Sequence, residues 1–250
     1  MLKKIFYFSL LISSFSYAGN INIAVAANVS YAIDDLIKAY EKKHPATKVR
    51  VTLGSSGKLT AQIKNGAPYS LFMSANMKYP EALYKQGFAI TKPIVYAKGA
   101  LAYFSTKQRD FSSPLQLLQN DEIKRIAIGN PKTAPYGVAT VDALKNMNIF
   151  SSIKHKFVYG ESISQTISYT MTATDMGIVA KSSLYSPRMS AFKEGKNWID
   201  VDKSKYNAIS QGVVVLKGAE NNLEVNSFYR FILGEEARVI FKRFGYEVTR

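Results

Sequence analysis

Short apolar runs rich in β-branched residues alternate with amphipathic stretches along nearly the whole chain, which restricts it to an α/β architecture with mainly parallel sheets. Residues 21–27 (INIAVAA) predict a buried strand, and 32–44 (AIDDLIKAYEKKH) a helix with Ile33, Leu36, Ile37 and Tyr40 on one face. A strand at 48–54 (KVRVTLG), a short helix over KLTAQIKNG stopped by Gly66, and a strand at 70–75 (SLFMSA) complete a βαβαβ unit. At 93–106 the helical period vanishes: PIVYAKGALAYFST holds two apolar runs split by Lys98 and Gly99, read as strands crossing between two lobes. A second series follows, with strands at 125–131, 156–160 and 176–181 and helices near 138–147 and 163–173. A strand at 208–216 and helices near 222–233 and 235–244 close the chain. Two α/β lobes, 19–98 with 208–250 and 99–207, are the expected assembly. In open α/β sheets, ligands collect at the carboxyl ends of the strands.

The first residues carry an address rather than a fold. Lys3 and Lys4 precede an apolar stretch over 5–15, and Ser16-Tyr17-Ala18 is a small-x-small cleavage site, so residues 1–18 read as a signal peptide and the mature chain is expected to begin at Gly19. The apolar run is too short to span a bilayer. With no cysteine in the sequence, an acylated lipoprotein cysteine, a disulfide and a thiolate metal site are excluded. The expected location is the periplasm.

The formal net charge of +15 becomes +13 once Lys3 and Lys4 are removed. Such a balance invites a nucleic-acid reading, but the basic residues are spread along the chain. The densest group (Lys38, Lys42, Lys43, Lys48, Arg50) falls mostly on one predicted helix. A solvated basic surface that steers small anions is the reading adopted, with no nucleic-acid partner.

The chemistry concentrates at four strand-to-helix junctions built from small or neutral polar residues: Ala26–Ser30 (AANVS), Gly54–Gly57 (GSSG), Asn130–Gly137 (NPKTAPYG) and Gly160–Ser164 (GESIS). Each places unpaired backbone N–H groups at a helix start, where the positive end of the helix dipole also lies. One such junction is ordinary capping. Four converging on one cleft make an anion site with no Lys or Arg. A doubly charged oxyanion offers only acceptors, so donors are required: amide N–H, hydroxyl O–H and backbone N–H. Glu161 is the one carboxylate beside these donors and is expected to point away. A secreted hydrolase using Ser55 or Ser56 is the alternative of another class. However, GSSG lacks the G-x-S-x-G spacing, and His44 and His155, the two histidines, read as surface residues. Isolated histidines without clustered carboxylates also argue against a metal-cation site.

At these same junctions the chain resembles the periplasmic molybdate-binding proteins of ABC importers. The resemblance runs from AVAANVSYAIDDL through LGSSGKLTAQIKNGAP, LFMSAN, AIGNPKTAPYG, GESISQT and MGIVA to FYRFILGEEARVIFKRFGY; its specific parts are GSSGKLTAQIKNGAP and NPKTAPYG. It implies a two-lobed periplasmic binding fold of the second topological type, mixed sheets flanked by helices. It further implies a monomer without catalytic residues or resident cofactor, which closes over molybdate or tungstate and delivers it to a membrane permease. Carried over by position, the implied contacts are Asn28 with the backbone near Ala27, then Ser56, and the backbone at Tyr136 and Ile163. The commonest branch of the family has Ser in place of Asn28 and a Tyr contact in place of Ala180. This chain is closer to a branch that reads Ala-Ala-Asn and Ala-Pro-Tyr-Gly. The runner-up ligands are sulfate and phosphate; ferric iron would want paired tyrosines and an amino acid an Arg–carboxylate pair.

Overall fold

The computed structural model describes residues 19–248; the expected leader, residues 1–18, lies outside the described residues. The chain begins with β1 (Gly19–Ala26), α1 (Ile33–Lys43), β2 (Thr47–Gly54), α2 (Ser56–Lys64), β3 (Leu71–Met73), α3 (Lys78–Lys85) and β4 (Ile94–Gly99). Next come β5 (Leu101–Phe104), α4 (Pro114–Gln119), β6 (Ile126–Gly129), α5 (Pro135–Asn146), α6 (Phe150–Ile153), β7 (Phe157–Gly160), α7 (Ile163–Thr172), β8 (Met176–Ala180), α8 (Lys181–Leu184) and β9 (Trp198–Asp200). It ends with β10 (Ile209–Val215), α9 (Leu223–Leu233) and α10 (Glu235–Arg243).

The strands form two five-stranded mixed sheets, ordered β2-β1-β3-β10-β4 and β7-β6-β8-β5-β9. In each, three parallel strands are followed by one antiparallel to them: β10 against β3, and β5 against β8. The two sheets are thus equivalent in pattern, each with its helices forming a lobe. The chain crosses between them at Ala100, which alone separates β4 from β5. It returns over 201–208, where Val201 N donates to Leu101 O at 3.0 Å.

Strand alternation builds a core on each face of the first sheet. Ile21, Ile23 and Val25 of β1, Leu71 and Met73 of β3, and Val213 and Val215 of β10 face α1, α9 and α10. Ala24, Phe72 and Val214, one residue out of phase, pack with Leu59 and Ile63 of α2 and Leu83 of α3. This period of two is the pleat itself. Fully buried Phe228 and Phe241 seat the two C-terminal helices, each such side chain contributing about 1.5–3 kcal/mol by burial. Helix α1 buries Ile33, Leu36 and Tyr40 and carries Asp34 and Asp35 in its first turn and Lys42 and Lys43 in its last, complementing its dipole at both ends.

Some elements differ from the sequence expectation. Helix α5 starts at Pro135 rather than near 138, because a proline at the first helical position loses no hydrogen bond and its φ already suits the helix. Trp198 opens β9 and is buried against Phe104 and Leu184. Helices α3, α4 and α8, each of eight residues or fewer, are additions to the sequence expectation.

Candidate functional site

Three helices and one short 3-10 turn point their starts at the space between the lobes. From the first lobe come the turn Ala27–Tyr31 and helix α2; from the second, α5 and α7. Residues of the first turn of a helix have no intrahelical acceptor for their N–H groups, so each donor must be accounted for separately. In α2, Ser55 is the N-cap and its side chain accepts from Lys58 N, while Gly57 N donates to Thr133 O at 3.0 Å. In α7, Ser162 caps in the same way, accepting from Gln165 N. In α5, Pro135 has no N–H and Gly137 N donates to Ala134 O at 2.9 Å. Among the described residues, nothing accepts from the N–H of Ser56, Tyr136 or Ile163.

Ala27, Asn28, Ser56, Tyr136 and Ile163 all line one cavity of about 10 Å³, near the least volume that holds a single water-sized sphere. Its other walls are Ala26, Gly54, Ser55, Ala75, Ala134 and Pro135, and no charged residue is among them. Ser56 is fully buried, and its Oγ accepts from Ala75 N at 2.9 Å, which leaves its own hydroxyl proton free to donate. Beside the cavity, sharing Ala27 and Gly54 with it, opens a wider groove of about 510 Å³.

Several bonds tie the lobes together around this cavity. Ser164 Oγ donates to Ala27 O at 2.8 Å and Ser182 Oγ to Asn28 O at 3.1 Å. Glu161 does not point away as expected. Its Oε1 accepts from Ser55 Oγ at 3.2 Å, and its Oε2 lies 3.8 Å from Lys58 Nζ. The reason is local: Ser55 and Lys58 offer it a hydroxyl and a countercharge across the cleft. With its side chain 47% exposed, this pair sits in solvent at the lip and is worth little by itself.

Asn28 is placed less simply. Its side-chain N–H2 group donates to Gln211 Oε1 at 2.7 Å and to Tyr246 OH at 2.9 Å, and its Oδ1 is buried without a partner among the described residues. Tyr96 OH also donates to Gln211 Oε1 at 2.9 Å, Gln211 Nε2 reaches Tyr136 OH at 3.5 Å, and Tyr246 OH donates to Asn28 O at 2.8 Å. This buried network joins both lobes directly beneath the cavity. Sequence reading missed Gln211, Tyr96 and Tyr246, although a lone glutamine in the apolar run ISQGVVV was a signal of a buried polar role.

Burial pushes the Tyr246 phenol up to about 12, and it raises Tyr96 and Tyr136 well above the ordinary tyrosine value. All three are neutral hydroxyls at physiological pH. An unfolded tyrosine ionises near 10, so the stability these groups contribute is complete below pH 10 and is lost as pH rises through about 12. The urea midpoint should therefore be flat up to about pH 9.5 and fall steeply above pH 10. Tyr246→Phe should flatten that fall; an unchanged slope would mean that Tyr246 ionises as it does in the unfolded chain.

Neither Ser55 nor Ser56 has a histidine partner: His44 stacks on Tyr40 with ring centroids 4.3 Å apart, and His155 is exposed. Among the described residues, no three His, Asp or Glu side chains come together as a metal site, and no helix is long and apolar enough to cross a membrane.

Two α/β lobes of matching topology, with helix starts facing a small uncharged cavity between them, define a binding protein for a small solute rather than an enzyme. Residues 21–247 match the family model described as bacterial extracellular solute-binding protein. The chain is 31% identical over 238 residues to the molybdate-binding protein ModA of Azotobacter vinelandii, covering 94% of this chain and 93% of that one. It is 29% identical to the molybdate-binding protein ModA of Rhodobacter capsulatus, covering 92% and 88%. The solved Azotobacter vinelandii periplasmic molybdate-binding protein superposes with a TM-score of 0.85 at 29% identity, covering 92% of this chain and all of that one. The chain belongs to the bacterial extracellular solute-binding proteins and, among them, to the family of the molybdate-binding proteins.

Proposed function

We propose that this protein captures a tetrahedral oxyanion, molybdate or tungstate, in the periplasm and hands it to the membrane permease of an ABC-type importer. The observation that carries this reading is the small, uncharged cavity lined by Ala27, Asn28, Ser56, Tyr136 and Ile163 from both lobes. Donors surround it: the Ser56 hydroxyl and the backbone N–H groups of Ser56, Tyr136 and Ile163 in the first turns of α2, α5 and α7. Hydrogen bonds to a charged partner contribute about 1.5–3 kcal/mol each, so a handful suffice for submicromolar binding after association costs. Its uncharged walls, lined with donors, suit a small anion, and the basic surface raises the local concentration of anions. The lobes in this reading are 19–98 with 208–250 and 99–207, hinged where the chain crosses between the sheets, and closure brings the two sets of donors together.

A thermal-shift panel of molybdate, tungstate, sulfate, phosphate and chromate tests the reading. Molybdate and tungstate should raise the melting temperature, since a ligand at 100 times its Kd stabilises by about 2.7 kcal/mol, whereas equimolar sulfate and phosphate should not. In small-angle scattering the same two anions should reduce the radius of gyration. Equal shifts from sulfate would leave only a generic anion site, and a profile unchanged by ligand would remove the hinge.

A further inference from the structure

The buried network beneath the cavity contains one group out of place. Asn28 lines the anion cavity, yet both its amide hydrogens are spent on Gln211 and Tyr246, and the atom left unpartnered is an acceptor, Oδ1. A buried acceptor without a donor is destabilising, and an oxyanion cannot relieve it, because it too brings only acceptors. A half-turn about the Asn28 Cβ–Cγ bond exchanges the two atoms. It presents N–H2 where Oδ1 now lies and turns Oδ1 toward Gln211 and Tyr246.

That half-turn is allowed only if the partners reverse with it, and each of them can. Rotating the Gln211 amide brings Nε2 to face Asn28 and Tyr96, and Oε1 to face Tyr136. The hydroxyls of Tyr96, Tyr136 and Tyr246 each donate or accept, being held neutral by burial. When Tyr246 OH turns from Asn28 O to Oδ1, Ser182 Oγ, at 3.1 Å, still serves the backbone carbonyl. Gln211 is wholly buried and is not among the cavity walls, standing behind Asn28.

We propose that Asn28 and Gln211 are a coupled pair of amides that rotate together when the anion enters, which makes Gln211 a positioning residue of the site. This inference rests on the oxyanion reading above. Because Tyr136 belongs to the second lobe and Gln211 to the first, the same rotation also registers whether the lobes are closed.

Two measurements test it, both with molybdate as the probe. Gln211→Met preserves volume in the core but can neither donate nor accept, so it should weaken molybdate binding roughly ten- to hundredfold while the protein still melts cooperatively. A purely structural glutamine would instead lower the melting temperature and leave the affinity within twofold, which overturns the proposal. Independently of whether that variant folds, the side-chain 15N–H2 resonances of Gln211 in the wild-type protein should shift on titration together with those of Asn28. Movement of Asn28 alone would also overturn it. If the wild-type protein binds neither molybdate nor tungstate, the oxyanion reading itself fails, an outcome distinct from molybdate binding with an unmoved Gln211.

Discussion

Replacing Ser56 by aspartate is expected to abolish oxyanion binding in a protein that remains folded. Ser56→Ala removes one charge-assisted hydrogen bond and should cost about 1.5–3 kcal/mol, one to two decades of affinity. Ser56→Asp removes the donor and sets a like charge beside a dianion; at about 4 Å and an effective dielectric of 20, each pair of unit charges repels by about 4 kcal/mol. A loss of at least about a thousandfold follows. The fold has reasons to survive. Ser55, not Ser56, caps α2, an acidic residue in the first turn suits the helix dipole, and a carboxylate can still accept from Ala75 N as the Ser56 Oγ does. Titration calorimetry paired with circular dichroism measures both halves. Near wild-type affinity in a folded Ser56→Asp protein would mean that the anion lies elsewhere.

Gly137→Ala should be the most damaging single methyl group in the second lobe. A Cβ on Gly137 would overlap the carbonyl oxygen of Gly129 and lie 2.6 Å from its carbon and 2.9 Å from that of Asn130. All three are backbone atoms at the end of β6, where no side chain can swing aside, so α5 has to retreat from the sheet. Overpacking of this kind costs about 1–3 kcal/mol, occasionally more. Because the retreat carries the Tyr136 N–H with it, affinity should fall along with stability. Val138→Ala, one residue on and 44% exposed, is the control and should lie within about 0.5 kcal/mol of wild type. A Gly137→Ala protein that melts and binds like wild type would show that the close approach of α5 to β6 does not matter.

The contrast between what could and could not be read from the chain has a physical basis. The α/β alternation and most helix starts are local: a cap or a glycine acts within a turn, so Ser55 and Ser162 stand where caps are expected, while the apolar period alone set the start of α5 three residues after Pro135. The four junctions that wall the cavity were legible for the same reason, whereas the five residues singled out within them came from the family resemblance. The network below them was not, because its bonds join Asn28 to residues 183 and 218 positions away, and no local pattern encodes that proximity. Glu161 was misjudged on the same ground: the partners that draw it inward, Ser55 and Lys58, belong to the other lobe. The orientation of the Asn28 amide is subtler still, set by two tyrosines and a glutamine whose roles as donors or acceptors are interchangeable.

The place of β10 in the first sheet governs the order in which this molecule can be put together. In that sheet β4 pairs with β10 and, at Lys98, with Glu247 near the end of the chain, and β3 is flanked by β1 on one side and β10 on the other. A chain emerging from its N-terminus therefore makes β1, β2 and β3 early, holds β4 without a partner, and completes every strand of the second sheet before β10 appears. Through that interval β3 is a bare edge open to mispairing, and the Phe228 and Phe241 helices that cover the sheet are still unmade. The second lobe matures as an insertion inside an unfinished first one. The native state is sealed only when the last strand slides between two that have been waiting for it.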